Sequence, residues 1–375
     1  MEPHSKKYFS NLDGLRFILA FVVIGGHAML GSVLSLVVPT DFLKRLAVVL
    51  NSGHLAVSFF FVLSGFLITF LMIEEKEKTG KFSITHFYLR RICRIWPLYY
   101  LTLLFGFFIY PHVKVLLGYV DQNPYSLIHQ LLFLGNFDSI RVAREGLVGV
   151  APMMIGITWS VSIEEQFYLI WPVTFAFVKP TRFWLICIFV IAGSWWFRFL
   201  TPDWNLYFHT LSVISDMGIG ALGACVVYYN RSFILFMERI PKWIILVLYL
   251  LGFILLMYDD LFGKYLIAHS YRVITGLFFA FIILEQCYSS HSFYKFGRCK
   301  TISAAGKYTY ALYMLHPIGI QASIIIFRGL HIDRAESIPY GLLYYFIAAV
   351  SSLVLAALSY RFIEQYFLQL RKKFY

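Results

Sequence analysis

The chain has 375 residues, of which 59% are hydrophobic, 19% aromatic and only 14% charged, with a mean hydropathy of +0.71. A soluble domain carries roughly 45–50% apolar and about 25% charged residues, so a water-soluble fold is excluded and lipid must solvate much of the surface. The net charge of +12 fits the Lys and Arg excess of cytoplasmic membrane loops better than a nucleic-acid surface, and no nucleic-acid partner is expected.

A spanning helix needs about 20 mainly apolar residues. Ten segments qualify, near residues 17–38, 55–73, 97–117, 159–178, 183–200, 206–229, 243–262, 266–288, 305–328 and 338–360. The expected fold class is therefore all-α, a polytopic transmembrane bundle of about ten helices. The first run is too long for a signal-peptide core and should stay as a helix. The shorter apolar piece Ser126–Phe137 reads as a re-entrant or interfacial helix. An even count puts both termini on one side. Placing that side in the cytoplasm gives the inner face 22 of the 32 Lys and Arg, the expected inward bias. The chain is expected to be one integral membrane domain, 1–375, with no fused soluble domain. The five cysteines, Cys93, Cys187, Cys225, Cys287 and Cys299, show no CxxC spacing. They are expected to be reduced, with no disulfide framework and no metal site.

The first helix, NLDGLRFILAFVVIGGHAML, carries an ionisable stripe. Arg16 and His27 are eleven residues apart and fall within about 20° of one face, with Asp13 about 40° away. Counted from Phe17, His27 lies about 15 Å in, close to mid-bilayer. Gly25 and Gly26 leave room beside its imidazole for a substrate or another backbone. The ordinary alternative for His27 is an interhelical hydrogen bond. An ionisable group within lipid is costly, however, and counts by default as functional. Next, FYLRRICRIWPLYY gathers Arg90, Arg91 and Arg94 within one turn before Pro97, which is expected at the entry of the third span. Guanidinium forks suit phosphate, although a basic triplet alone reads as a headgroup anchor.

In TWSVSIEEQFYLIWPV, Glu164 and Glu165 point about 100° apart, so they cannot share a task. Trp159, Phe167, Tyr168 and Trp171 are consistent with an aromatic belt. In YTYALYMLHPIGI, His316 precedes Pro317, which removes a helical hydrogen bond; His316 is either a second polar contact in the site or a partner for the freed carbonyl. Ser64 and Gly65 in FFFVLSGFLI suggest close helix packing. Asp216 is mid-span and needs a partner that the sequence does not name.

Taken together, LDGLRFILAFVVIGGH, FFFVLSGFLI, FYLRRICRIWPLY, WSVSIEEQFYLIWP and YALYMLHP, in that order over residues 12–317, resemble the acyltransferase-3 family of integral membrane O-acyltransferases. Val161 stands where leucine is common. The resemblance implies a cytosolic acyl-CoA donor, usually acetyl-CoA, and a hydroxyl acceptor on a glycan or lipid-linked glycan. It also implies a bacterial inner (plasma) membrane location. His27 matches the family's essential histidine, Arg16, Arg91 and Arg94 its arginines, and Glu164 the first Glu of its Trp-Ser-Leu-x-x-Glu pattern. His27, Glu164 and Arg16 are thus the expected catalytic set and Arg90, Arg91 and Arg94 the expected CoA-binding set. Asp13, Ser64, Asp216 and His316 are further candidates. The expected picture is a neutral His27 facing a tunnel reachable from the cytosol. A proton-coupled transporter or exporter using the same intramembrane groups is the alternative.

Overall fold

A helix lies within the described part of each of the ten apolar segments in the computed structural model, which describes residues 9–30, 40, 44–47, 49, 52–116, 118, 123–147, 153–201, 204–262, 269–334 and 336–374. The long helices are α1 (Ser10–His27), α2 (Gly53–Thr79), α3 (Ile84–Leu104), α6 (Thr158–Phe177), α7 (Phe183–Leu200), α8 (Thr210–Tyr229), α10 (Lys242–Met257), α11 (Tyr271–Tyr288), α13 (Thr309–Gly329) and α14 (Ile338–Ser359). Between them lie the short helices α4 (Leu127–Leu131), α5 (Gly135–Arg144), α9 (Arg231–Arg239) and α12 (Lys300–Ala305), with α15 (Gln365–Arg371) last. Among the described residues there is no strand.

Among the described residues, seven helices are long and apolar enough to cross a membrane, or eight if α9 and α10, bent by 91°, form one broken span. The two long helices that fall short are α1 and α6. Both carry charge within their length: Asp13 and Arg16 on α1, Glu164 and Glu165 on α6. The expected count of about ten is thus seven or eight apolar helices plus two more polar ones. The second half of the first expected span, 31–38, lies outside the described residues.

Several boundaries differ from expectation. α1 starts at Ser10 and ends at His27, so His27 closes its helix about 26 Å from the first residue rather than sitting midway. α3 begins at Ile84, where Ser83 accepts a hydrogen bond from the His86 N–H (3.2 Å). Pro97 therefore lies inside α3 rather than at its entry, and the three arginines sit in its first turns. The Ser126–Phe137 piece is not one helix. Phe133, at φ 54°, separates α4 from α5. The segment carries Gln130 and Asn136 and is followed by Asp138, all essentially fully buried. Asp138 accepts from Arg141 and from the Ser126 N–H, and Gln130 from Thr158. Irregular backbone is tolerated in such a bundle where protein supplies its partners.

α2 and α8 form the mostly buried centre, while α7 and α14 expose most of their apolar surface. That outward surface, including Phe189 at 75% and Phe346 at 62%, is the one lipid would solvate. Trp159, Phe167, Tyr168 and Trp171 are all buried, so they build the core instead of an interfacial belt. Among the described residues no two cysteines form a disulfide.

The described ends of the chain meet at one end of the bundle. Phe9 packs on Phe70 near the close of α2, with ring centroids 5.4 Å apart. Ser303 bonds the Ser10 carbonyl (2.8 Å), and Arg90 bonds the Phe374 carbonyl (2.8 Å). α1 and α13 consequently run in the same direction from that end.

Where α2 crosses α8, a Cβ on Gly65 would overlap the Met217 carbonyl and one on Gly220 the Val62 carbonyl. The small residues there permit backbone contact. Replacing Gly220 by leucine is expected to destabilise the protein by about 1–3 kcal/mol or more, read as a lower melting temperature in detergent. Gly193→Ala on α7, where an added Cβ meets nothing within 4 Å, should be neutral or slightly stabilising; equal losses for the two would contradict this packing.

Candidate active site

Two polar clusters occupy the interior. The first surrounds a cavity of about 320 Å³ between α1, α2, α3, α6 and α13. Asp13 and Arg16 enter it from α1, Ser64 from α2, Arg91 and Arg94 from α3, and Glu164 and Tyr168 from α6. Arg16 pairs with Asp13 at 2.9 Å, one turn back on the same helix. The Tyr168 hydroxyl donates to Glu164 Oε2 at 3.0 Å, so Ser64 Oγ, 2.5 Å away, must donate to the tyrosine oxygen. Glu164 and Tyr168 are four residues apart and so share a helix face. The Arg91 guanidinium lies over the Phe87 and Tyr168 rings, 5.5 and 5.6 Å from their centroids. Among the described residues Arg94 makes no hydrogen bond or ion pair, although the carboxyl groups of Glu164 and Glu364 lie within its electrostatic reach. Three guanidiniums face two carboxyl groups in the wall, so the cavity favours an anion.

The second cluster is a histidine pair. His316 is fully buried. Its Nε2 lies 3.1 Å from His27 Nδ1, and its Nδ1 lies 2.7 Å from the Tyr313 carbonyl. His27 Nδ1 also lies 3.1 Å from the Val23 carbonyl. His316 thus contacts the first-helix histidine and also bonds a carbonyl. Pro317 lacks an N–H, and the carbonyl four residues before it is that of Tyr313.

Neither histidine lines the cavity. The guanidinium cavity therefore does not itself extend to His27. Arg16 and His27 share a stripe but stand about 16 Å apart along α1. Between the clusters stands Tyr313, which lines the cavity and whose ring centroid is 6.0 Å from that of His316. Its hydroxyl is tied to the Ile157 carbonyl (3.0 Å) and to Ser160 (2.5 Å).

Other expected site residues are placed elsewhere. Arg90 donates to Glu75 (2.7 Å) and to the Phe374 carbonyl, and is absent from the cavity wall. It clips the chain's end to the bundle. Asp216 finds its partner in Arg272, which donates to both carboxylate oxygens (3.1 and 2.6 Å), with Ser58 donating as well (2.6 Å). That buried pair joins α8, α11 and α2 away from the cavity. Glu165 accepts from the Trp96 indole N–H (2.9 Å). Gln166 donates to Asn136 and accepts from Thr210, anchoring α5 and α8. The space at Gly26 is met by another backbone, with the Cβ position of Gly53 on α2 only 4.0 Å from Gly26 Cα. Sequence reasoning missed Tyr168, Tyr313 and Ser160. The spacing of Tyr168 from Glu164 was the available signal, and its aromatic character obscured it.

A family model described as an acyltransferase domain matches residues 9–361. The chain is 27% identical over 383 residues to O-acetyltransferase OatA of Staphylococcus aureus (strain NCTC 8325 / PS 47), covering 96% of this chain and 57% of the relative. It is 25% identical over 390 residues to peptidoglycan O-acetyltransferase OatA of Listeria monocytogenes serovar 1/2a, covering 96% and 56%. The chain thus spans just over half the length of these relatives. No solved structure matches it.

The Ser64–Tyr168–Glu164 chain has a direction that can be tested. Tyr168→Phe strips buried Glu164 of its donor and should cost about 1 kcal/mol or more of stability. Ser64→Ala leaves that donor in place and should cost less. Thermal unfolding of both variants and of the double variant checks this; a larger effect of Ser64→Ala would reverse the assigned direction.

Proposed function

The chain belongs to the acyltransferase family whose domain spans residues 9–361, and from that premise we propose that it is a membrane O-acetyltransferase. It takes an acyl group from cytosolic acyl-CoA and gives it to a hydroxyl of a cell-surface or lipid-linked glycan. The observation that carries this reading is the cavity with surplus guanidinium charge, in which Arg94 has no ion-pair partner among the described residues. Such a wall suits the phosphates and polar arm of a nucleotide thioester. The relatives' names supply the acetyl group and, for the Listeria protein, the peptidoglycan acceptor. The end of the bundle where both described chain ends meet is read as cytoplasmic, by the bias of Lys and Arg, and the membrane as a bacterial plasma membrane.

In this reading Arg16, Arg91 and Arg94 bind the donor, and Glu164 with Asp13 holds that charge in place. His27 is the group that meets the reacting atoms. The acceptor oxygen attacks the thioester carbonyl as its proton passes to His27, and the thiolate leaves, collecting that proton as CoA thiol. The thioester end travels about 16 Å along α1 and passes Tyr313 to get there. No metal is invoked.

Donor binding and acyl transfer by purified protein test this assignment. Arg94→Ala should weaken acetyl-CoA binding roughly ten-fold or more, the value of a hydrogen bond to a charged group. Arg90→Ala should weaken it far less, because its partners are Glu75 and the Phe374 carbonyl. His27→Ala should keep donor binding and lose transfer. Equal transfer by wild type and His27→Ala, or substrate flux across sealed vesicles with no acyl transfer, would overturn the proposal.

A further inference from the structure

The proton inventory of the histidine pair is closed. A carbonyl oxygen only accepts, so His316 Nδ1, 2.7 Å from the Tyr313 oxygen, carries the hydrogen of that ring. The neutral imidazole has no second hydrogen, so His316 Nε2 presents a lone pair. His27 Nδ1 then faces two acceptors, His316 Nε2 and the Val23 carbonyl, each at 3.1 Å. Its hydrogen must therefore sit on Nδ1, which leaves His27 Nε2 as the basic nitrogen. Among the described residues nothing hydrogen-bonds that nitrogen.

The chain of cause runs back to a proline. In an uninterrupted helix the Tyr313 carbonyl would accept from the N–H of residue 317. Pro317 has none, so the carbonyl is free to fix the ring of the residue beside it. We propose that His316 is a positioning residue, locked by the carbonyl that Pro317 releases, which holds His27 in the Nδ1–H tautomer and accepts its hydrogen bond when Nε2 takes a proton. Resting on the reading of His27 as the base, the pair works as one unit. The proton arriving at His27 Nε2 comes from the acceptor hydroxyl, and the charge then spreads over two rings joined by a hydrogen bond. When the proton leaves for the thiolate, both rings return to their starting state.

The test uses the full chain in lipid bilayers with ¹⁵N-labelled histidine. The His27 signals are identified by their loss in His27→Asn, and acetyl-CoA binding serves as the check that each variant is folded. Wild type should show Nδ1 protonated and Nε2 bare. Pro317→Ala restores an N–H that competes for the Tyr313 carbonyl. It should raise the Nε2–H form of His27 and lower kcat at least about ten-fold, with KM for acetyl-CoA unchanged because the donor cavity is untouched. His316→Gln keeps an acceptor near the Nε2 position and should retain more activity than His316→Leu. A wild-type His27 found in the Nε2–H form would overturn the inference. So would a tautomer and kcat that stay as in wild type in both Pro317→Ala and His316→Leu. An active His27→Ala would instead remove the functional reading while leaving the tautomer measurement intact.

Discussion

Within an apolar bundle, a buried charge or hydrogen-bonding group must find a partner inside the protein, because hydrocarbon offers none. That constraint sorts the polar residues of this chain. Asp216 is satisfied by Arg272 and Ser58, one oxygen of Glu165 by Trp96, Gln166 by Asn136 and Thr210, and Arg90 by Glu75. These contacts tie helices together. Arg94 and His27 Nε2 are among the groups that no such contact occupies within the described residues. Arg94 faces a cavity without an ion pair, and His27 Nε2 keeps its lone pair.

The two open groups lie in separate clusters joined by single helices. α1 carries Arg16 in the cavity and His27 at its end. α13 carries Tyr313 on the cavity wall and His316 against His27. Because α1 and α13 start at the same end of the bundle, their two ladders stay in register. The separation suits a reaction with two substrates, since charge that binds a nucleotide is kept away from the imidazole that must remain neutral to act as a base. Tyr313, bonded to Ser160 and to the Ile157 carbonyl, is the side chain between them.

Much of this was legible in the residues. Apolar run length located the long helices, and the polar stripes of α1 and α6 marked two of the helices that line the cavity. The hydrogen-bonding rule of the helix, i to i−4, by itself connects Pro317 to the Tyr313 carbonyl. Pairings between distant helices were not legible. His27 and His316 are 289 residues apart and Asp216 and Arg272 are 56 apart, so helix packing alone decides that they meet. The choice among Arg90, Arg91 and Arg94 depends on which face of α3 turns inward. Extending α3 back to Ile84, through its Ser83 cap, set that face and turned Arg90 away from the cavity. Likewise Tyr168 passes for a belt aromatic by sequence, whereas its hydroxyl lies between Ser64 and Glu164.

Catalysis at His27 with a donor held by the arginines requires one path from the guanidinium cavity to the imidazole. A structure in a lipid nanodisc with a non-hydrolysable acetyl-CoA analogue bound would reveal that path most directly. The analogue's phosphates should lie against Arg94 and Arg91, with Tyr313 displaced from Ser160. The acetyl carbonyl should lie near His27, close enough for an acceptor oxygen on His27 Nε2 to stand about 3–3.5 Å from it. An analogue bound outside the cavity, or one whose acetyl group rests beside Glu164 with Tyr313 still bonded to Ser160, would contradict such a path.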